Sequence, residues 1–135
     1  MFVLNPNFDH AISAIIITGG WSSSSYRSVE ILREDGNYWC SLPDLPDIRY
    51  KHTQSGLITC GSGGYNSDTE TSCLTLTDGQ WMTSHQLQYS RSEHSSWTSQ
   101  HGVVLMGGFG STTTTEILND DGGSSSSFSL KHSTR

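Results

Sequence analysis

Three glycine pairs recur along this chain at a single spacing, and this period constrains the fold more than any other feature. The pairs lie 44 residues apart, at Gly19–Gly20, Gly63–Gly64 and Gly107–Gly108. Asp-Gly dipeptides keep step at intervals of 43 residues, at Asp35–Gly36, Asp78–Gly79 and Asp121–Gly122. A fixed period in this range is typical of architectures in which each copy is one supersecondary unit. The period therefore predicts three copies of one unit.

Each copy has the pattern of paired β-strands. An apolar run precedes each glycine pair, at residues 15–17, 57–58 and 103–106, and short runs bounded by glycine indicate buried strands. The Asp-Gly dipeptides predict hairpin turns, because a type I′ turn needs positive φ at both central residues. The sequence has only two alanines and no long stripe of helical period. We therefore predict an all-β fold.

An aromatic residue and an arginine complete each copy. These residues are Trp39 with Arg49, Trp81 with Arg91, and Phe128 with Arg135. Together with the apolar run, the double glycine and an Arg-x-x-His sequence, they make the chain resemble the kelch-repeat family. The resemblance covers three repeats at about 13–55, 56–100 and 101–135, after an N-terminal lead-in at 1–12. In the second repeat Cys60-Gly61-Ser62 precedes the glycine pair, so its alignment could slide by two residues.

The resemblance implies a kelch-type β-propeller with about three four-stranded blades. Closed propellers have about four to eight blades, and this leaves two alternatives. The chain is a segment of a longer propeller whose remaining blades lie elsewhere, or two chains form a homodimer that closes a six-bladed ring. Open blades expose unpaired strand edges, which promote association.

The residues that recur in every copy are expected to have structural roles. Residues at the same repeat position cannot converge on one off-axis site, so Arg49 and Arg91 should donate hydrogen bonds to backbone carbonyls of the neighbouring blade. Trp39 and Trp81 should pack between blades. The glycines at 19–20, 63–64 and 107–108 should allow close backbone approach or positive φ at strand ends.

Two of the three cysteines are candidates for a disulfide. Cys60 ends the apolar strand of the second repeat and Cys73 lies on the next strand, so the two could face each other across a hairpin. The alternative is two small buried side chains in a reduced protein. The stretch from Cys40 to Pro46 resembles secreted animal kelch-type proteins, in which the corresponding cysteine is often paired. The resemblance favours the Cys60–Cys73 bridge and an extracellular location, with a cytoplasmic location as the alternative.

Composition and motifs argue against several functional classes. The net charge is −6 and the seven Lys and Arg residues are scattered, which disfavours nucleic-acid binding. No apolar stretch has the length of a transmembrane helix. Zinc-type spacings such as His-x-x-x-His and Cys-x-x-Cys do not occur, nor does a Gly-x-Ser-x-Gly or phosphate-loop motif. We expect no cofactor, no metal site and no catalytic residues.

The candidate binding residues are those that break the repeat. The loops after the glycine pairs differ most between copies, and loops on a rigid scaffold are where binding sites usually lie. These loops contribute Trp21 and Tyr26 in the first repeat, Tyr65, Asn66 and Asp68 in the second, and Phe109 in the third. They predict a non-catalytic binding module for a protein or glycan partner. The alternative is part of a propeller enzyme whose site needs missing blades or a second chain.

Overall fold

The protein is all-β, as the sequence predicts. The computed structural model describes residues 14–22, 26–33, 38–63, 71–99, 102–110 and 112–119, together with the backbone of 125–129. None of these residues is helical, and they form eleven strands. The strands are β1 (Ala14–Thr18), β2 (Val29–Arg33), β3 (Trp39–Leu42), β4 (Thr53–Ser55), β5 (Ile58–Cys60), β6 (Ser72–Thr77), β7 (Gln80–Gln86), β8 (Ser95–Ser99), β9 (Gly102–Met106), β10 (Thr114–Leu118) and β11 (Ser125–Ser129).

The strands form three sheets that follow one another along the chain. Sheet I contains β1, β2 and β3, sheet II contains β4 to β7, and sheet III contains β8 to β11. Every pairing is antiparallel and joins strands that are consecutive in sequence. Each sheet is therefore a simple meander, the arrangement that short connections favour.

The sheets divide the chain one strand earlier than the sequence repeats suggest. The repeats at about 13–55 and 56–100 assign residues 53–55 and 95–99 to the ends of the first and second copies. In the structure β4 pairs with β5 and β8 pairs with β9, so both strands open the following sheet. The sequence motif begins at the apolar run, whereas the sheet begins with a short polar strand that carries little hydrophobic signal.

The hairpin turn predicted at Asp78–Gly79 is confirmed. It joins β6 to β7, and its two central residues have φ of 50° and 78°. Positive φ at both positions is the condition for a type I′ turn. The dipeptides at 35–36 and 121–122 lie outside the described residues.

Two hydrophobic clusters join the sheets. Val29, Leu45 and Leu74 are buried between sheets I and II, where Trp81 packs against them and donates from Nε1 to the Pro43 carbonyl at 2.8 Å. The second cluster lies between sheets II and III. It consists of Cys60, Cys73, Leu87, Val103, Leu105 and Leu118.

The disulfide between Cys60 and Cys73 is confirmed, and it lies in the second cluster. The two residues are directly opposite each other on β5 and β6, with their Cα atoms 4.1 Å apart. The bridge therefore ties two adjacent strands of sheet II and presents apolar sulfur to sheet III. Cys40 is exposed on β3 and is a free cysteine.

The glycine pairs of the first and second repeats do not align as their spacing suggests. The backbone N–H groups of Gly19, Gly61 and Gly107 donate to carbonyls at the start of the next strand, those of Ser28, Ser72 and Thr114. Gly61 therefore corresponds to Gly19, and the true intervals are 42 and 46 residues. Gly63 lies two residues further on and donates to the Tyr50 carbonyl at 2.7 Å. Gly64 lies outside the described residues.

Backbone approach between sheets explains why Gly19 and Gly61 must be glycine. Their φ values are 58° and 71°, which disfavour a side chain. A Cβ on either residue would meet a carbonyl oxygen at 2.3 Å, that of Arg49 for Gly19 and that of Arg91 for Gly61. The carbonyls accept hydrogen bonds from the next residues, Gly20 and Ser62. Each contact joins one sheet to the segment that leads into the next.

Gly61→Ala is expected to lower the free energy of unfolding by at least about 2 kcal/mol, because it combines a strained φ with a backbone clash. Gly79→Ala is the matched control, since Gly79 has φ of 78° but no neighbouring atom within 4 Å of the point that a Cβ would occupy. Its expected cost is about 1 kcal/mol from backbone strain alone. Urea unfolding followed by circular dichroism measures both values, and equal losses would contradict the role assigned to the Arg91 carbonyl.

Candidate functional site

Two fully buried arginines connect the sheets. Arg91 Nη1 donates to the Gly107 and Thr114 carbonyls at 2.6 and 3.1 Å, and its Nη2 donates to Thr114 Oγ1. Arg49 makes the same contacts one sheet earlier, with the Gly61 and Ser72 carbonyls at 3.0 and 2.9 Å. Both guanidinium groups thus satisfy carbonyls where a strand ends and the next begins.

A buried carboxylate distinguishes the second of these contacts. Glu116 is fully buried and accepts from Arg91 Nε at 3.0 Å, while its second oxygen accepts from the Gln88 backbone N–H at 2.9 Å. Sequence reasoning missed Glu116. The sequence feature that could have identified it is a single carboxylate inside an otherwise uncharged strand, two residues after Thr114.

In sheet II the corresponding arginine, Arg49, is bound without a carboxylate. The position that corresponds to Glu116 is occupied by Leu74, two residues after Ser72, and Leu74 is buried in the first cluster. The position that corresponds to Gln88 is Pro46, three residues before Arg49. Proline has no N–H to satisfy, so the carboxylate and its backbone donor are replaced together. Burial lowers the pKa of Arg49 to about 10, with Asp47 acting in the opposite direction.

The histidines of the two Arg-x-x-His sequences also lie between sheets. His52 Nε2 is 2.8 Å from Thr18 Oγ1, and His94 Nε2 is 2.8 Å from Thr53 Oγ1. Burial, and then the adjacent Arg49, lowers the pKa of His52 to about 4. Burial and then Arg91 lower the pKa of His94 to about 4. Both rings are therefore neutral at pH 7 and serve in packing and hydrogen bonding.

Stability should fall as the pH drops from about 6.5 to 4. An unfolded histidine titrates near 6.5, whereas the folded pKa of His52 and His94 is about 4. The unfolded state therefore binds protons first, so stability is full above pH 6.5, declines through this window and levels off below it. We expect a loss of about 1–2 kcal/mol per histidine, allowing for partial solvent access. Urea unfolding across this range should give a shallower profile for His94→Gln, and superimposable profiles would contradict the assignment.

The described candidate binding residues, Trp21, Tyr26 and Phe109, lie at one end of the sheets, which we call the glycine end. It comprises the described residues 19–22, 26–28, 47–52, 61–63, 88–94 and 107–110. The strands of each sheet begin or finish here, and the Asp78–Gly79 turn lies at the other end. The described parts of the loops after the first and third glycine pairs therefore lie at the same end of the sheets.

Trp21 and Phe109 are the most exposed aromatic residues of this end, at 71% and 78%. Trp21 lies two residues after Gly19, and Phe109 lies two residues after Gly107, the glycine that corresponds to Gly19 in sheet III. Phe109 is held by a backbone pair with Ser92, in which each N–H donates to the other's carbonyl. In sheet II the corresponding residue is Gly63, which packs close to Tyr50. Two aromatic side chains therefore project from equivalent positions, with a glycine at the position between them.

Tyr26 is the third described residue of the predicted set. Its N–H donates to the Gly20 carbonyl at 3.1 Å, and its hydroxyl is 3.1 Å from Ser22 Oγ. The tyrosine is exposed, but hydrogen bonds hold both its backbone and its hydroxyl group. Tyr65, Asn66 and Asp68 lie outside the described residues. Tyr89 and Ile48, which sequence reasoning missed, are also exposed at the glycine end.

An ion pair lies on the same surface between the second and third sheets. Lys51 Nζ contacts Glu93 Oε1, and the Glu93 N–H donates to the Lys51 carbonyl at 2.7 Å. The two residues have φ of 56° and 54°, a region that non-glycine residues rarely occupy. They hold the same position after Arg49 and Arg91, so this backbone is a feature of the repeat. The pair supplies opposite charges at a fixed place on the glycine end.

A groove of about 370 Å³ between sheets I and II is a weaker candidate site. It is lined by Asp47, Leu74, Trp81 and Gln86, among others. Three of its polar side chains are already engaged, because Trp81 Nε1 donates to the Pro43 carbonyl, Gln86 donates to Thr71 Oγ1 and Ser72 Oγ accepts from Arg49. Few groups remain to orient a ligand.

Comparisons with known proteins establish the fold but no family. No protein-family model matches the chain, and no curated protein matches it. A solved structure entitled "Structure of YjhT" is similar, with a TM-score of 0.63 and 17% identity over 85% of this chain. The match covers 42% of that chain, so this sequence spans less than half of it. At this identity the likeness is one of fold.

Two further properties of the described residues bear on function. Across the ranges that the structure describes, no helix is long and apolar enough to cross a membrane. Within the same ranges, no three His, Cys, Asp or Glu side chains are grouped as metal ligands would be.

Proposed function

We propose that this chain is a segment of a kelch-type β-propeller that acts as a non-catalytic binding module, with the glycine end as its binding surface. Three consecutive antiparallel meanders, one of three described strands and two of four, support the propeller, because propeller blades are four-stranded sheets. The repeated arginine contacts support it further, since both join one sheet to the next in the same way. Fold analogy alone does not assign the function.

The exposure of Trp21 and Phe109 carries the proposal. Large aromatic side chains gain much from burial, and they are enriched in the energetically dominant parts of protein interfaces. The backbone of Phe109 is held by two hydrogen bonds with Ser92, and Gly20 beside Trp21 donates to the Arg49 carbonyl, so little backbone entropy is lost when a partner covers them. The ion pair of Lys51 and Glu93 adds charge that can orient the partner.

A protein partner suits this surface better than a glycan. The exposed residues of the glycine end include Tyr26, Tyr89 and Ile48 as well as the two larger aromatics, so this end offers several large apolar side chains. Protein interfaces of standard size need about 800 Å² per partner with such anchors at the centre. The disulfide favours an oxidising, extracellular compartment for the protein.

Selection of a displayed random peptide library on the wild-type protein tests the proposal. The binding of the selected peptides should weaken at least tenfold for Trp21→Ala/Phe109→Ala. It should be unchanged for Tyr38→Ala, an aromatic residue of 71% exposure at the other end of sheet I. Peptides that bind all three proteins equally would refute the glycine end as the binding surface, and binding to a glycan array alone would favour the sugar alternative.

A further inference from the structure

One face of sheet I is open, and it is apolar. Ile15, Leu32 and Trp39 are paired across the three strands and so lie on the same face, and Ile17 and Glu30 form the next row of that face. Ile15 is 58% exposed, and Ile17 and Trp39 are also exposed. The opposite face, with Ile16 and Val29, packs against sheet II. We call the exposed side the outer face of sheet I.

The outer face of sheet I has apolar residues at positions that are buried in sheet III. Ile15 and Ile17 lie four and two residues before Gly19. Val103 and Leu105 lie four and two residues before Gly107, and they are buried against sheet II. Counted from the first residue after the loop, Leu32 matches Leu118, which is buried in the same cluster. The outer face therefore has the composition of a sheet surface that another sheet covers, and it continues the series of interfaces within the chain.

Glu30 gives this face a specific ligand chemistry. It follows Ser28 by two residues, as Glu116 follows Thr114, and Gly19 matches Gly107 through the same backbone hydrogen bond. Around Glu116 the carbonyls of Gly107 and Thr114, a hydroxyl and the carboxylate all bind the guanidinium of Arg91. Gly19, Ser28 and Glu30 supply the same four acceptors, and Glu30 is exposed.

The opposite side of sheet III offers the complementary surface. Val104, Ile117 and Trp97 are paired across its strands on the face turned away from sheet II, and Met106 lies beside them. Trp97 is 61% exposed and Met106 is exposed. The same face of sheet I, with Ile16 in the place of Val104, is the one that packs against sheet II. In sequence Arg135, which lies outside the described residues, follows Arg91 by 44 positions.

We propose that the outer face of sheet I is a docking site for the open face of sheet III in a second copy of this chain, with an arginine of that copy bound by Gly19, Ser28 and Glu30. The contact is heterologous, and two such contacts related by a two-fold axis form a closed dimer. Arg135 of the second copy is the donor that the repeat spacing indicates. The site takes a guanidinium because its acceptors match those that hold Arg91.

Light scattering during size exclusion, without reductant, tests the dimer on the full chain. The wild-type protein should have a mass of about twice 14.8 kDa. Glu30→Arg should raise the dissociation constant at least tenfold, and Glu30→Arg/Arg135→Glu should restore association. Met82→Arg is the control, since Met82 is exposed on sheet II. Circular dichroism verifies that each variant is folded.

A monomeric wild-type protein at concentrations up to about 100 µM would overturn the proposal, because closed interfaces of this kind are stable well below that range. Association that Glu30→Arg leaves unchanged would overturn it as well, since the arginine site would then have no part in the contact.

Discussion

Replacing Arg91 by methionine is expected to lower the free energy of unfolding by about 3–5 kcal/mol. The side chain is fully buried and its guanidinium contacts the buried carboxylate of Glu116 at 3.0 Å. Without Arg91 the carboxylate keeps the Gln88 N–H but has no cation, and the Gly107 and Thr114 carbonyls lose a donor. Since small domains are stable by about 5–15 kcal/mol, the variant should be close to unfolding. Urea unfolding at pH 7 measures the change.

The double variant Arg91→Met/Glu116→Leu separates the charge from the packing. Leu74 occupies the position of Glu116 in sheet II, so an apolar residue fits this site. The double variant should be more stable than Arg91→Met, with a remaining loss of at least about 1–3 kcal/mol, because the Gln88 N–H loses its acceptor and the Gly107 and Thr114 carbonyls still lack the Arg91 donor. Arg27→Met is the matched control for an exposed arginine and should cost less than about 1 kcal/mol. Similar losses for Arg91→Met and Arg27→Met would contradict the buried pair.

Removing the Cys60–Cys73 bridge is expected to cost about 3 kcal/mol. The cysteines are separated by 13 residues, and closing a loop of this size restricts the unfolded chain by that amount in the chain-entropy model. Cys60→Ala/Cys73→Ala also removes sulfur atoms from the cluster with Leu87 and Leu105, which increases the loss. Urea unfolding with and without reductant measures the contribution.

The free cysteine provides the control for the disulfide. Cys40→Ser changes an exposed residue, so its stability should equal that of the wild type without reductant and fall by the same amount when reductant is added. A wild-type protein whose unfolding is insensitive to reductant would show that the bridge does not contribute to stability.

Local sequence patterns were sufficient for part of the fold. The Asp78–Gly79 turn follows from a dipeptide that tolerates positive φ at two positions, and the disulfide is favoured by two cysteines on predicted adjacent strands together with the family resemblance. The all-β class follows from short apolar runs separated by glycine. Each of these features depends on residues that are close in sequence, where propensity and spacing act directly.

Features that depend on packing between sheets could not be predicted in this way. The match of Gly61 to Gly19 is set by the Arg91 carbonyl, 30 residues further on, whereas the spacing of glycine pairs favoured Gly63. The burial of Glu116 depends on Arg91 from the preceding segment. For the candidate site, sequence identified Trp21 and Phe109, which each follow a glycine pair, but that Gly63 takes the corresponding place in sheet II is visible only when the glycines are aligned through their hydrogen bonds.

The two arginines bind equivalent carbonyls of the following strands, but different residues surround them. Arg91 is balanced by a buried carboxylate that also accepts a backbone N–H, whereas Arg49 is accompanied by Leu74 and a proline that lacks that N–H. Glu30 in sheet I holds the position of Glu116, so sheet I has a carboxylate at this position on an exposed face. This choice is the reason that we assign an arginine to the docking site.

Hydrogen–deuterium exchange of the protein with a selected peptide bound would locate the binding surface. Exchange reports local opening and protection residue by residue. We expect slower exchange at residues 19–22 and 107–110, where Trp21 and Phe109 lie, and no change at the Asp78–Gly79 turn. Protection centred on the turn end, with the glycine end unaffected, would contradict the claim that the glycine end is the binding surface.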